Sequence, residues 1–429
     1  MSSIYRKTVL PDGLKIISES IPTVRSISIG LWVDIGSRDE PDGLEGISHF
    51  IEHMVFKGTT TRSSFDIVSY IESVGGVINA FTTRENTCFL AKIIDLHLPR
   101  AVEILADMAF NARFDRDDII KEKKIIVDEI NEVKDAPADL VHDLFAQSIF
   151  GKHPLGRPIL GSAKTVSGFS RKKVISFLNS NYLRKRMIVV ASGNFRHSDL
   201  VRLVKKHLPE TISSDNQKYS TAARTRRIRP QLHPGVFVTS RKTNQIHICI
   251  GMPAIKFSHP KRASLLLLNS ILGGGMSSRL FQKIREDMGL AYTVFSYLDF
   301  FKDIGVIGVY LNTEKGHTGA VLRAVFDELE KLKNTKLDST ELNSAKEQLK
   351  GSLVLGLENT SHRMNRLAKH ELLLGKYISI DETVSQIDSV SSASMRDIAV
   401  KLFQPDKLTV TVLGPVTKKA VENSINWQP

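Results

Sequence analysis

Cysteine is scarce. Two residues, Cys88 and Cys249, stand in a chain of 429. Each lies in a strand-like run and no C-x-x-C occurs, so a disulfide framework is excluded and two inert core thiols in a reducing compartment are expected. Long apolar runs are missing too. The longer ones, such as residues 187–191 and 265–268, are far too short to span a bilayer. The N-terminal MSSIYRKTVLPDG has no apolar core of the signal-peptide kind. These absences predict a soluble, cytoplasmic protein with no membrane partner. Basic and aromatic residues are not interleaved in the manner that stacks bases. The net charge of +13 therefore does not predict a nucleic-acid partner: Lys and Arg are spread along the chain, and their densest cluster is Arg224, Arg226, Arg227 and Arg229. The glycine triplet at 273–275 lacks the G-x-x-x-x-G-K spacing of a phosphate cradle.

The composition that is present is ordinary for a globular protein, 41% hydrophobic and 24% charged. At about 100 to 200 residues per domain, the length predicts two or three domains. The stretch 205–233 is polar and basic, lacks apolar periodicity and reads as a surface linker. The expected division is a domain over 1–208, a linker over 209–233 and a second domain over 234–429. The halves read alike, which suggests a duplication. Strand-like runs at 27–34, 76–82 and 87–94 match runs at 246–252, 291–298 and 305–312. Helical patterns at 46–56 and 97–111 match those at 262–272 and 317–332. Each half closes on a strand ending in glycine, MIVVASG and LTVTVLG. This order predicts an α+β fold, in which each domain is a mostly antiparallel sheet with helices packed on one side.

The halves differ in chemistry. The first helix of the first half reads GISHFIEHMVF; its counterpart, ASLLLLNSIL, has no histidine or glutamate. In the first, His49 and His53 are four residues apart and share one helical face, where two imidazoles can grip one zinc ion. Glu52 sits on the same face beside the metal without being a ligand. Zinc needs a third protein ligand if one position is to stay open for water. Glu129, on a helical pattern over 117–133, is available, and Glu122, two turns earlier on the same face, is placed to hydrogen-bond a ligand histidine. The apolar setting strengthens this reading, because two histidines and a carboxylate on a largely buried helix need compensation. His97, His142, His153, His247 and His317 show no paired spacing and read as ordinary surface or core residues, His247 being the least easily dismissed.

H-x-x-E-H is the inverted zincin signature, and the sequence resembles the M16 family of metallopeptidases over nearly its whole length. It is most similar to the two-domain bacterial members and to the catalytic subunit of the mitochondrial processing peptidase. GISHFIEHMVFKGT matches the family's metal helix, and the family's third ligand and supporting glutamate fall on Glu129 and Glu122. VGGVINAFTTRENT resembles the family's substrate-binding edge strand, which puts Asn79, Ala80 and Phe81 against the peptide. LGGGMSSRLFQKIREDMGLAYTVFSY resembles the segment whose arginine and tyrosine reach the substrate, here Arg285 and Tyr292; Met288 departs from the basic residue of many bacterial members. Asp139 and Asp143, four apart on a helical pattern, form one acidic face. It reads either as a solvated surface or, by the resemblance, as a hold on a substrate arginine.

The resemblance implies one zinc ion per chain, a clamshell of two homologous domains, a homodimer and a peptide substrate. The expected activity is that of a zinc endopeptidase acting on peptides or extended polypeptide, near basic residues on the second reading of Asp139 and Asp143, with Glu52 as the base and Tyr292 helping to stabilise the oxyanion. The alternatives are a non-catalytic subunit of the same family, which the intact set His49, Glu52, His53 and Glu129 argues against, and a nucleic-acid binder, which would need no zinc.

Overall fold

The computed structural model describes residues 4–208 and 227–425. Their contacts divide them into two compact units that do not follow the two sequence halves. One comprises the residues up to Asn131 with Arg157–Ile228 and Leu355–Tyr377; the other comprises Glu132–Gly156, Arg229–Val354 and the residues from Ile378.

The first unit is built on six strands: β1 (Ile4–Val9), β2 (Lys15–Ser20), β3 (Ser26–Val33), β4 (Val77–Thr82), β5 (Thr87–Ile94) and β6 (Met187–Gly193). Their order is β1-β2-β6-β3-β5-β4, and only β2 and β6 run parallel. Helices Ile47–Met54, Ser64–Glu72, Leu98–Asn111, Arg171–Asn181 and His197–His207 contribute to the core on one face. The opposite face is covered as well. Ile17, Trp32, Cys88, Ile188 and Val190 pack there against Met364, Leu367 and Ala368 of helix Thr360–Leu374. Burial on both faces explains why β3 and β6 read as nearly continuous apolar runs rather than as alternating ones.

The second unit has five strands: β7 (Gly235–Ser240), β8 (Ile246–Ala254), β9 (Val294–Phe300), β10 (Gly305–Thr313) and β11 (Thr409–Gly414), in the order β7-β11-β8-β10-β9. Matched in chain order, this is the path β2-β6-β3-β5-β4 of the first sheet, with the single parallel pair again joining the first and last of the five. Helices Arg262–Gly273, Thr318–Asn334 and Ser392–Leu402 lie over one face. Helix Pro137–Phe150 lies over the other, with Val141, Phe145 and Ile149 against Cys249, Val306, Tyr310 and Leu413.

Each sheet therefore carries most of its helices on one face, as expected, and one helix on the other. That lone helix comes from the far half of the sequence, which periodicity within a half does not foretell. Residues 209–226 of the expected linker, Arg224 and Arg226 among them, lie outside the described residues. Arg227 departs from a surface linker. Its guanidinium donates to the Asp39 carboxylate at 2.8 and 2.6 Å, with Asp34 at 3.4 Å and Glu85 at 3.5 Å, and the side chain is nearly buried. Three carboxylates offset the cost of taking that cation out of water. Both cysteines are buried free thiols.

Candidate metal centre

Helix Ile47–Met54 is anchored by Ile47, Phe50, Ile51 and Met54, all fully buried in the core. It starts after Gly46, whose φ of 92° is left-handed and where a Cβ would meet the Leu160 carbonyl oxygen at 2.5 Å. Only glycine fits that position. The buried Glu40 carboxyl accepts from the Gly46 and Ser48 backbone N–H groups, both at 2.8 Å. This satisfies two donors at the helix start and sets an acidic group at the positive end of the helix dipole.

His49 and His53 project from this helix with ring centroids 4.5 Å apart. Helix Arg116–Asp135 brings Glu129 to them: its Oε2 is 3.8 Å from His49 Nε2 and 3.7 Å from His53 Nε2. One ligand atom from each of the three residues lies within 4.8 Å of the others, the one such cluster of three or more potential ligands among the described residues. Glu122, seven positions before Glu129, is nearly buried on the same helix. His53 Nδ1–H points at Glu122 Oε1, 3.3 Å away, and the Lys57 ammonium donates to Glu122 Oε2 at 2.7 Å. The Glu122–His53 contact selects the tautomer that leaves His53 Nε2 as an acceptor facing Glu129.

The spacing of the donor set suits zinc. Zinc with bonds of about 2.0 to 2.1 Å in a tetrahedral shell separates its ligand atoms by about 3.3 Å. The observed 3.7 and 3.8 Å lie within a few tenths of an ångström of that. Burial, with His53 beside it, pushes the His49 imidazole down to about 3, so it is neutral, as a ligand must be. His49 Nδ1 is itself buried with no hydrogen-bond partner. Two imidazoles and a carboxylate gathered in this way form a donor set that fits a divalent cation.

Glu52 stands beside the trio. Its Oε2 accepts from the Thr82 hydroxyl at 2.6 Å. Burial raises its pKa, while the Thr82 hydrogen bond and His53 pull the other way. Thr82, Lys57 and Glu40 were missed by sequence reasoning. Thr82 had one available signal: it is the third residue after Asn79 in the strand read as substrate-binding, and a threonine there alternates onto the same face as Ala80.

The remaining expected residues fall into two groups. Asn79, Ala80 and Phe81 lie on β4, the edge of the first sheet, next to helix Ile47–Met54. Ala80 faces the core and Phe81 turns to the opposite face, edge-on to Trp32 at 5.3 Å. Asn79 Oδ1 accepts from the Ala80 backbone N–H at 2.8 Å. Arg285, Tyr292, Asp139 and Asp143 belong to the second compact unit. Arg285 lies over the rings of Phe281 and Tyr292, 4.7 Å from each centroid, and Tyr292 is 74% exposed. Asp139 and Asp143 lie on helix Pro137–Phe150, Asp139 exposed and Asp143 half-buried. His247 is a core residue bonded through Nδ1 to the Tyr310 hydroxyl at 3.0 Å.

Known proteins resemble this chain over most of its length. Residues 15–163 match the model of the insulinase (peptidase family M16) domain and residues 168–349 that of the peptidase M16 inactive domain. An uncharacterized zinc protease of Streptomyces coelicolor is 39% identical over 96% of this chain and 90% of its own length. Another, from Bacillus subtilis, is 38% identical over 94% of this chain and 97% of its own. Among solved structures, a protease from Helicobacter pylori superposes with a TM-score of 0.90 at 22% identity, covering 96% of this chain and all of the other; at that identity the likeness speaks for the fold. With two family models spanning most of the chain and relatives this similar over nearly its full length, the chain belongs to peptidase family M16.

Proposed function

We propose that this protein is a zinc-dependent endopeptidase that cleaves extended polypeptide segments, holding one zinc ion on His49, His53 and Glu129. The observation that carries the reading is the convergence of three ligand atoms, two imidazole and one carboxylate, beside the carboxylate of Glu52. The names of the relatives point the same way. No helix among the described residues is long and apolar enough to cross a membrane.

A zinc ion held there supplies Lewis-acid charge that acidifies water and polarises a carbonyl. The chain's own residues supply the rest. Glu52 takes the proton of the attacking water and passes it to the leaving amine. Burial raises its pKa, the direction that helps it hold the proton between the two steps. The Thr82 hydroxyl holds Oε2, which orients the carboxylate and leaves Oε1 for the proton. Glu122 and Lys57 fix the His53 ring. The outer backbone edge of β4 at Asn79, Ala80 and Phe81 is open to a substrate added as a further strand, a mode that binds chain shape more than sequence. Arg285 and Tyr292 as substrate contacts, and Asp139 and Asp143 as a hold on a substrate arginine, rest on the family resemblance.

Elemental analysis paired with a peptide-cleavage assay tests the reading. Glu52→Gln retains one zinc per chain and loses cleavage by about 10²- to 10⁴-fold, whereas His49→Ala loses both metal and cleavage. Wild-type cleavage by Glu52→Gln refutes the assignment.

A further inference from the structure

Part of the excess of basic residues, spread along the sequence, meets at one place in the fold. At one end of the second sheet there is a cavity of about 620 Å³, within the size range of small-molecule sites. Four separate stretches of chain form it: Arg229, the end of β8 with residues 255–259, the β9–β10 turn, and residues 401–407. Five cations line it, Arg229, Lys256, Lys302, Lys401 and Lys407, against one carboxylate, Asp303. Among the described residues, Arg229, Lys256, Lys401 and Lys407 are held in no ion pair. His259 registers the resulting field: its pKa is lowered, by burial first and then by Lys401, Lys261 and Lys256. Walls of Pro253, Ile255, Ile304 and Leu402 give the cavity an apolar side.

Like charges brought together around a cavity repel one another, and a multivalent anion is the occupant that reverses the sign of that energy. The side chains say which anion. An arginine fork matches the geometry of carboxylate and phosphate alike, whereas lysine is a compact point charge that answers to charge density; four of the five cations here are lysines, which suits a small anion carrying several charges, as a chain of phosphates does. We propose that this cavity binds a small polyphosphorylated molecule, its phosphates among the lysines and its carbon skeleton against the apolar wall. The site is independent of the peptidase reading, since its residues all belong to the second unit and none belongs to the metal trio.

Isothermal titration of the full-length protein with sodium tripolyphosphate tests the proposal, with adenosine triphosphate and a single-stranded oligonucleotide as parallel arms. One tripolyphosphate per chain is expected, with affinity that falls as salt rises. Lys256→Gln/Lys401→Gln weakens it about tenfold or more, and Lys407→Gln alone serves if circular dichroism finds the double variant misfolded. Lys418→Gln/Lys419→Gln, a surface pair elsewhere in the unit, leaves binding intact. Tighter adenosine triphosphate than tripolyphosphate places the apolar wall in the site. His49→Ala also retains binding, which separates this site from chelation at the metal centre. No tripolyphosphate heat, equal weakening by both lysine pairs, loss in His49→Ala, or binding of the oligonucleotide alone overturns the proposal.

Discussion

Thr82→Val isolates the one side-chain hydrogen bond made to Glu52 among the described residues. The side chain keeps nearly the same shape and loses only its donation to Oε2 at 2.6 Å. A hydrogen bond to a charged acceptor contributes about 1.5 to 3 kcal/mol. Here it favours the ionised carboxylate against burial, which is the larger influence and raises the pKa. Because the folded pKa already lies above the unfolded one, the contribution of Glu52 to stability is complete below the unfolded pKa and is lost as pH rises through the folded pKa. Without Thr82 the folded pKa rises further, so the basic form of Glu52 appears only at higher pH. The acid limb of kcat/KM therefore moves upward. At a fixed pH on that limb, the 1.5 to 3 kcal/mol corresponds to a loss of about 10- to 100-fold, and the loss fades toward alkaline pH. The assay is hydrolysis of a quenched fluorescent peptide from about pH 5 to pH 9, with zinc content measured in both proteins so that the cation's influence is common to them. An acid limb that stays in place or moves to lower pH refutes the role of Thr82.

Three further outcomes follow from contacts described above. Glu122→Gln weakens the hold on the His53 ring and lowers zinc affinity by about 10- to 100-fold, read by competition with a chelating dye; unchanged affinity contradicts the tautomer argument. Gly46→Ala forces a Cβ to 2.5 Å from the Leu160 carbonyl at a left-handed φ and lowers stability by at least about 1 to 2 kcal/mol, seen as a fall in Tm. Met364→Ala opens a cavity under helix Thr360–Leu374, where Met364 is fully buried against the first sheet, and costs about 2 to 5 kcal/mol in chemical denaturation. A loss below 1 kcal/mol would mean that this helix does not cover that face.

Much of the fold is legible in local pattern. β5 and β6 span the residues their apolar runs indicate, and β8, β10 and helix Arg262–Gly273 differ from the reading by one or two residues at an end. Burial on at least one face forces such periodicity. The run read at 291–298 is less exact: the strand is Val294–Phe300, because the preceding residues Ala291 and Tyr292 follow a left-handed Gly289 and leave the ladder before it begins. Local pattern does not reveal that helix Pro137–Phe150 joins the second unit and helix Thr360–Leu374 the first, since the apolar face each buries is met by a sheet from the other half of the sequence.

The pairing of His49 with His53 and the adjacency of Glu52 follow from the helical repeat alone, because residues three and four apart on a helix are neighbours in any fold. The sequence by itself therefore determined two of the three members of the candidate metal site and the duplicated order of strands that surrounds it. Tertiary structure decided what is long-range: the approach of Glu129 to both imidazoles at 3.7 and 3.8 Å, the hydroxyl of Thr82 on Glu52, the Glu40 carboxyl at the head of the metal helix, and the meeting of five cations from four stretches of chain around one cavity. No periodicity encodes those meetings, because each depends on where sheet packing and strand order carry residues that are distant in sequence.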